Sequence, residues 1–155
     1  MRIFGIDPGT ATTGFGVIET EPAQLVDAGV LRTPAKQALE LRLKTIHEEL
    51  SGLLEEYAPG EVSIEELYFA SNVKTAISVS HARGVSMLAA SQYGVDVNEY
   101  TPLQIKHALT GYGRAEKHQI QEMVRLRLGL GQLPKPDDAA DALAVAICHS
   151  QVVAA

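Results

Sequence analysis

The chain has a single cysteine, no long apolar run and no excess of basic residues, and each shortage excludes a class of protein. Cys148 alone cannot build an intrachain disulfide framework or a multi-cysteine zinc site, so a reducing compartment is the easier reading. No apolar stretch approaches the ~18 residues that cross a bilayer. The opening MRIFGIDPGT breaks at Asp7 and Pro8 before a signal-peptide core can form. A soluble, cytoplasmic protein with no membrane partner is expected. Thirteen Lys and Arg stand against 19 Asp and Glu, a formal charge of −6, which at first argues against a nonspecific nucleic-acid binder. Internal repeats, low-complexity tracts and linker-like segments are also missing. What remains is ordinary: 155 residues, 46% hydrophobic and 21% charged, enough for one domain over 1–155 with a substantial core.

Periodicity supplies the order of elements. RIFGI (2–6), FGVIE (15–19) and QLVDAGVLRT (24–33) read as strands, the first two joined by the turn PGTATTG, and suggest an antiparallel meander. Residues 36–57 switch to helical spacing through Leu39, Leu43, Ile46, Leu50 and Leu54, and stop before Pro59-Gly60. EVSIE (61–65) reads as a buried strand. A helix over 72–92 is apolar on more than one face, which predicts burial on two sides. A strand DVNEY, a helix after Thr101-Pro102, a helix from Ala115 to about Leu128 and a last helix from about Asp137 follow. Three strands and then β-α alternation predict an α/β fold, a five-stranded mixed sheet with helices on both faces.

Carboxylates dominate the candidate chemistry. Asp7 follows the first strand, where ligands of α/β sheets usually bind, although Asp-Pro-Gly is also good turn chemistry. Glu65 ends its strand beside Glu66, which points to the opposite face. In the last helix Asp137 is the natural N-cap, while Asp138 and Asp141 share one face a turn apart. Asp141 sits among Ala140, Ala142 and Leu143 with no basic residue within four positions, so it should be paired or bind metal. Asp7, Glu65, Asp138 and Asp141 form an oxygen-only set with almost no His or Cys, which prefers Mg²⁺ or Mn²⁺. Two such ions about 4 Å apart activate a water and stabilise the leaving oxygen of a phosphodiester.

The blocks GIDPGTATTGFGVI, SIEELYFASN, TGYGRAEK and DDAADALAVAICH, in this order and spacing, closely resemble the RuvC family of bacterial Holliday junction resolvases. The resemblance covers nearly the whole chain. It implies a ribonuclease H-like fold, a homodimer through helix 72–92, and Mg²⁺-dependent nicking of opposing strands at four-way DNA junctions, with the RuvA–RuvB branch-migration complex as a further partner. It selects Asp7, Glu65, Asp138 and Asp141 as ligands of two ions, Mn²⁺ being able to replace Mg²⁺. It also implies that Tyr68 stacks on bases and that Lys106 and Lys117 lie near the DNA backbone; strand alternation lets only one of Tyr68 and Phe69 face inward, and Phe69 is the one expected in the core. Arg114 is a further candidate there, and Lys74 compensates for Ser71, which stands where relatives often carry a basic residue. His149, eight residues after Asp141, falls on roughly the same helical face; it is a candidate near-site residue, the alternative being a His satisfied by the dipole at the helix C-terminus. DPGTATTG also resembles the phosphate-binding turn of sugar kinase and actin-like ATPases, but those need two lobes and 155 residues leave no room for both.

Divided by segment, the acidic balance changes meaning. Residues 68–127 carry seven cations (Lys74, Arg83, Lys106, Arg114, Lys117, Arg125, Arg127) against four acids (Asp96, Glu99, Glu116, Glu122). The negative charge lies elsewhere, and part of it is the metal-ligand set itself. Modest nonspecific affinity, steep salt sensitivity and selectivity from junction shape are the expectation.

Overall fold

Phe4 and Ile6 turn to one side of the first strand and Ile3 to the other, and this alternation divides the core in two. The computed structural model describes residues 1–66 and 72–155. Strands β1 (Arg2–Asp7), β2 (Thr12–Thr20) and β3 (Ala23–Arg32) form the expected antiparallel meander. β4 (Glu61–Glu65) then pairs parallel with β1, and β5 (Val97–Tyr100) parallel with β4. The resulting order is β3-β2-β1-β4-β5, a five-stranded mixed sheet.

Helices cover both faces. Phe4, Ile6, Phe15 and Ile64 pack with Ile46, Leu50 and Leu54 of α1 (Leu39–Tyr57) and with Ala82, Ala89 and Ala90 of α2 (Val73–Tyr93). On the other side, Ile3 and Ile18 meet α3 (Pro102–Thr110), α4 (Lys117–Leu128) and α5 (Asp137–Ala154). α5 lies directly on the sheet and is buried without a break from Ala142 to His149. Small residues let it approach so closely. A Cβ at Gly5 would stand 2.1 Å from the Ala142 carbonyl oxygen, and one at Gly14 2.0 Å from that of Asp138. Backbone therefore meets backbone where α5 crosses β1 and β2.

Two expectations change. α1 and α4 begin at Leu39 and Lys117, not at 36 and Ala115, and α4 starts from a reciprocal cap between Glu116 and Gln119. Among the described residues only one side of α2 is covered. Ala76, Ala82, Ser86, Ala89 and Ala90 are buried, whereas Ile77 and Leu88 remain 53% and 51% exposed. The described residues include no helix long and apolar enough to cross a membrane.

Candidate active site

β1 and β4 run parallel in the register Ile6↔Ile64, so Asp7 and Glu65 leave the same edge of the sheet side by side. Asp7 shares the face of Ile3 and Gly5, the face on which α5 lies. The backbone contact at Gly14 brings the first turn of α5 onto that edge. Oxygens of Asp7, Asp138 and Asp141 consequently lie within 4.8 Å of one another. Glu65 stands beside this trio and interacts electrostatically with Asp7 and Asp141. A half-buried set of carboxylate oxygens with no nitrogen or sulfur donor fits a hard divalent cation.

Crowding raises the proton affinity of the group. Burial, then the charges of Glu65, Asp141 and Asp138, then a hydrogen bond with Asp138, push Asp7 up to about 8. Burial and the charge of Asp141 push Glu65 up to about 7 against the opposing pull of Lys106 and Lys117. Burial also raises Asp141, although Lys117 works the other way. These carboxyls bind protons more tightly folded than unfolded, so their contribution to metal-free stability is fully present below about pH 4 and is lost as pH rises through about 7 to 8. In EDTA, the melting temperature is expected to drop by roughly 5–10 °C between pH 5 and 8.5, and Mg²⁺ at pH 8.5 to restore most of the loss. A flat melting profile across that range would contradict the crowding.

Lys117 contributes what local sequence could not show. Its Nζ lies 3.7 Å from Asp141 Oδ2 and 3.4 Å from Asp137 Oδ2, so α4 supplies the cation that Asp141 lacks within its own helix. Burial opposes the charge on Lys117, but Asp141 and Asp137 outweigh it and raise its proton affinity. Asp137 is not the N-cap. Pro136 takes that position, and the Asp137 carboxylate is drawn outward to Lys117 and to Gln121 Nε2, 3.1 Å away. Lys106 of α3 borders the same cleft as Glu65, Asp141 and Lys117. Lys74 and Arg114 are exposed and form no ion pair with these carboxylates among the described residues. Lys74 instead borders a groove with Gly9, Thr10 and Thr12 of the β1–β2 turn. Tyr68, Phe69 and Ser71 lie outside the described residues.

His149 is not near the carboxylates. Its Nδ1 meets the Tyr100 hydroxyl at 2.6 Å and its Nε2 hydrogen-bonds Glu61, at the opposite end of β4 from Glu65. Eight helical residues keep the face but advance about 12 Å along the axis, so of the two readings the structural one, toward the C-terminal end of α5, holds. Arg83 of α2 was also missed as a site residue. It donates to the Glu65 carbonyl at 3.1 Å and pairs with Glu99, so it holds the end of β4 in place.

A family profile described as crossover junction endodeoxyribonuclease RuvC matches residues 3–149. The chain belongs to the RuvC family. A Brevibacillus brevis crossover junction endodeoxyribonuclease RuvC is 56% identical over 153 residues, covering 97% of this chain and 92% of the relative. The structure of Thermus thermophilus RuvC in complex with Holliday junction substrate is 36% identical. It matches over 99% of this chain and 94% of its own, with a TM-score of 0.93. The yeast mitochondrial Holliday junction resolvase Ydc2, at 12% identity and a TM-score of 0.67 over 98% of this chain and 78% of its own, shares the fold alone. The architecture is thus the ribonuclease H-like one that the family motifs imply.

Proposed function

We propose that this RuvC-family endonuclease binds four-way DNA junctions as a homodimer and nicks opposing strands with Mg²⁺, in recombination and repair. It would leave 5′-phosphate and 3′-hydroxyl ends. One observation carries the reading: an oxygen-only trio within 4.8 Å, bordered by Glu65, with Lys117 reaching into it from a separate helix. Asp7, Asp138 and Asp141 would hold one ion, and Glu65 with Asp7 would take part in holding a second. Mn²⁺ would substitute, since the oxygen donors do not discriminate strongly between these hard ions. When bound, such ions lower the pKa of water and stabilise charge on the leaving oxygen.

The chain's own part is to hold and receive. β1, β4 and α5 fix the carboxylates before substrate arrives, and Arg83 secures Glu65 through its backbone. Lys117 and Lys106 are placed to receive the scissile phosphate, Lys117 leaving its pairing with Asp141. Lys74 and Arg114 would meet the DNA backbone farther out, and Tyr68 would stack on a base near the junction centre. The dimer would form on α2, where exposed Ile77, Gly84 and Leu88 fall at i, i+7 and i+11 on one stripe and Gly84 leaves room for a close approach. The chain would work as one nuclease domain in the cytoplasm alongside the RuvA–RuvB complex.

The test uses a mobile four-way junction, the matching linear duplex and an RNA–DNA hybrid, each with and without Mg²⁺. Symmetric nicks in the junction alone, dependent on the metal, are expected. Cleavage of the hybrid would make the enzyme a plain ribonuclease H. A monomer by light scattering at high concentration would remove the basis for paired nicking.

A further inference from the structure

Beside the carboxylates a cavity of about 490 Å³ opens between α3, α4 and α5, and neither Asp7 nor Asp138 borders it. Its floor consists of Pro102, Ile105, Ala115, Ile120 and Ala144, of which Ile105, Ala115 and Ala144 are buried. Glu65 and Asp141 mark the side toward the metal-ligand set, Lys106 and Lys117 are the cations of its rim, and Glu116 completes the lining. The volume is within the usual range for small-ligand sites, roughly 300–1,000 Å³.

The chemistry of the floor selects the occupant. None of its five side chains can make a hydrogen bond. Three backbone donors beside it are already used: Ala115 N–H on the Tyr112 carbonyl at 3.3 Å, Ile120 N–H on the Glu116 carbonyl at 3.2 Å and Glu116 N–H on the Gln119 side chain at 2.7 Å. A phosphate or sugar hydroxyl pushed onto that floor would lose water and gain nothing. The flat face of a nucleobase loses little, because it is itself apolar. The rim offers the complement, two ammonium groups for the phosphate attached to that base.

We propose that the cavity receives one unstacked nucleobase of the strand being cut, next to the scissile phosphate, while Lys106 and Lys117 hold its phosphate. This rests on the junction-cleavage reading above and adds a place where the enzyme tests the base by fit. Taking a base from its stack costs least where pairing is already disturbed. The cavity therefore favours a branch point over a continuous duplex, in addition to any reading of junction shape.

The experiment places 2-aminopurine singly at each position within three nucleotides of the nick and binds wild-type protein in EDTA. One position should brighten several-fold over the protein-free junction. Ile120→Phe and Ala115→Val, both narrowing the floor, should cut the normal junction about 10-fold or more slowly, with binding changed less than threefold. A junction made abasic at the responsive position should be cut equally fast by wild type and by Ile120→Phe. The aminopurine reading needs no variant, so misfolding of either one leaves a decisive measurement. Binding and cutting with no responsive position would overturn the cavity's role and leave the junction reading standing. Wild-type rates from both variants would overturn it too, and failure to bind any junction would sink both readings.

Discussion

Asp7→Asn is expected to lower junction cleavage by at least about 10³-fold while binding changes by less than about threefold, and to make the metal-free protein more stable. The two effects share one cause. Asp7 stands within 4.8 Å of Asp138 and Asp141, and burial with three neighbouring carboxylates already disfavours its charge. The amide keeps the size of the carboxyl and can donate to Asp138, but it removes the charge that a divalent ion requires. Loss of several kcal/mol of transition-state stabilisation corresponds to the rate effect. Relief of repulsion should add about 2 kcal/mol at pH 8, or roughly 4–8 °C in EDTA. The gain should shrink toward pH 5, where the wild-type carboxyl holds its proton. Gel assays of nicking and binding, with melting curves at both pH values, read all three quantities. Wild-type turnover in Mg²⁺ would refute the ligand role, and an unchanged melting temperature at pH 8 would refute the electrostatic account.

Proton affinity and metal affinity are thus two expressions of one arrangement, and much of that arrangement was legible before any coordinates. Asp7 was visible because it follows a short apolar strand at a turn. Asp141 was visible because its own helix offers it no partner. The meander was readable because its turns are short and its periods clear. What the sequence hid was every contact between elements distant in the chain. Lys117 answers Asp141 across the α4–α5 packing, and Arg83 reaches Glu65 from α2, neither at a spacing that a local rule detects. His149 shows the complementary case. Helical phase is a statement about direction and not about distance, so it left two readings of His149 open, and the contacts with Tyr100 and Glu61 select the one away from the site. The apolar outer stripe of α2 was read as buried because composition records only that a surface avoids water, and among the described residues of one chain nothing covers it.

The glycines of the first two strands carry the strongest remaining prediction, because residues poor at forming strands stand where α5 crosses them. Gly14→Ala is expected to cost about 3 kcal/mol or more, roughly 6–12 °C in melting temperature, and to reduce cleavage at least about 100-fold. An added Cβ would lie 2.0 Å from the Asp138 carbonyl oxygen and 3.1 Å from the Asp138 Cβ. No side chain can rotate away to relieve a contact with backbone. Either β2 or the first turn of α5 must move, and that turn carries Asp138. The same substitution at Gly52, in the middle of α1 with nothing within 4 Å of the added atom, should instead stabilise by about 0.5–1 kcal/mol. The Mg²⁺-induced rise in melting temperature separates damage to the site from general destabilisation, since Gly14→Ala should lose most of it and Gly52→Ala none. A Gly14→Ala protein that melts, binds metal and cleaves like the wild type would mean that the seating of α5 on the sheet does not set the position of Asp138.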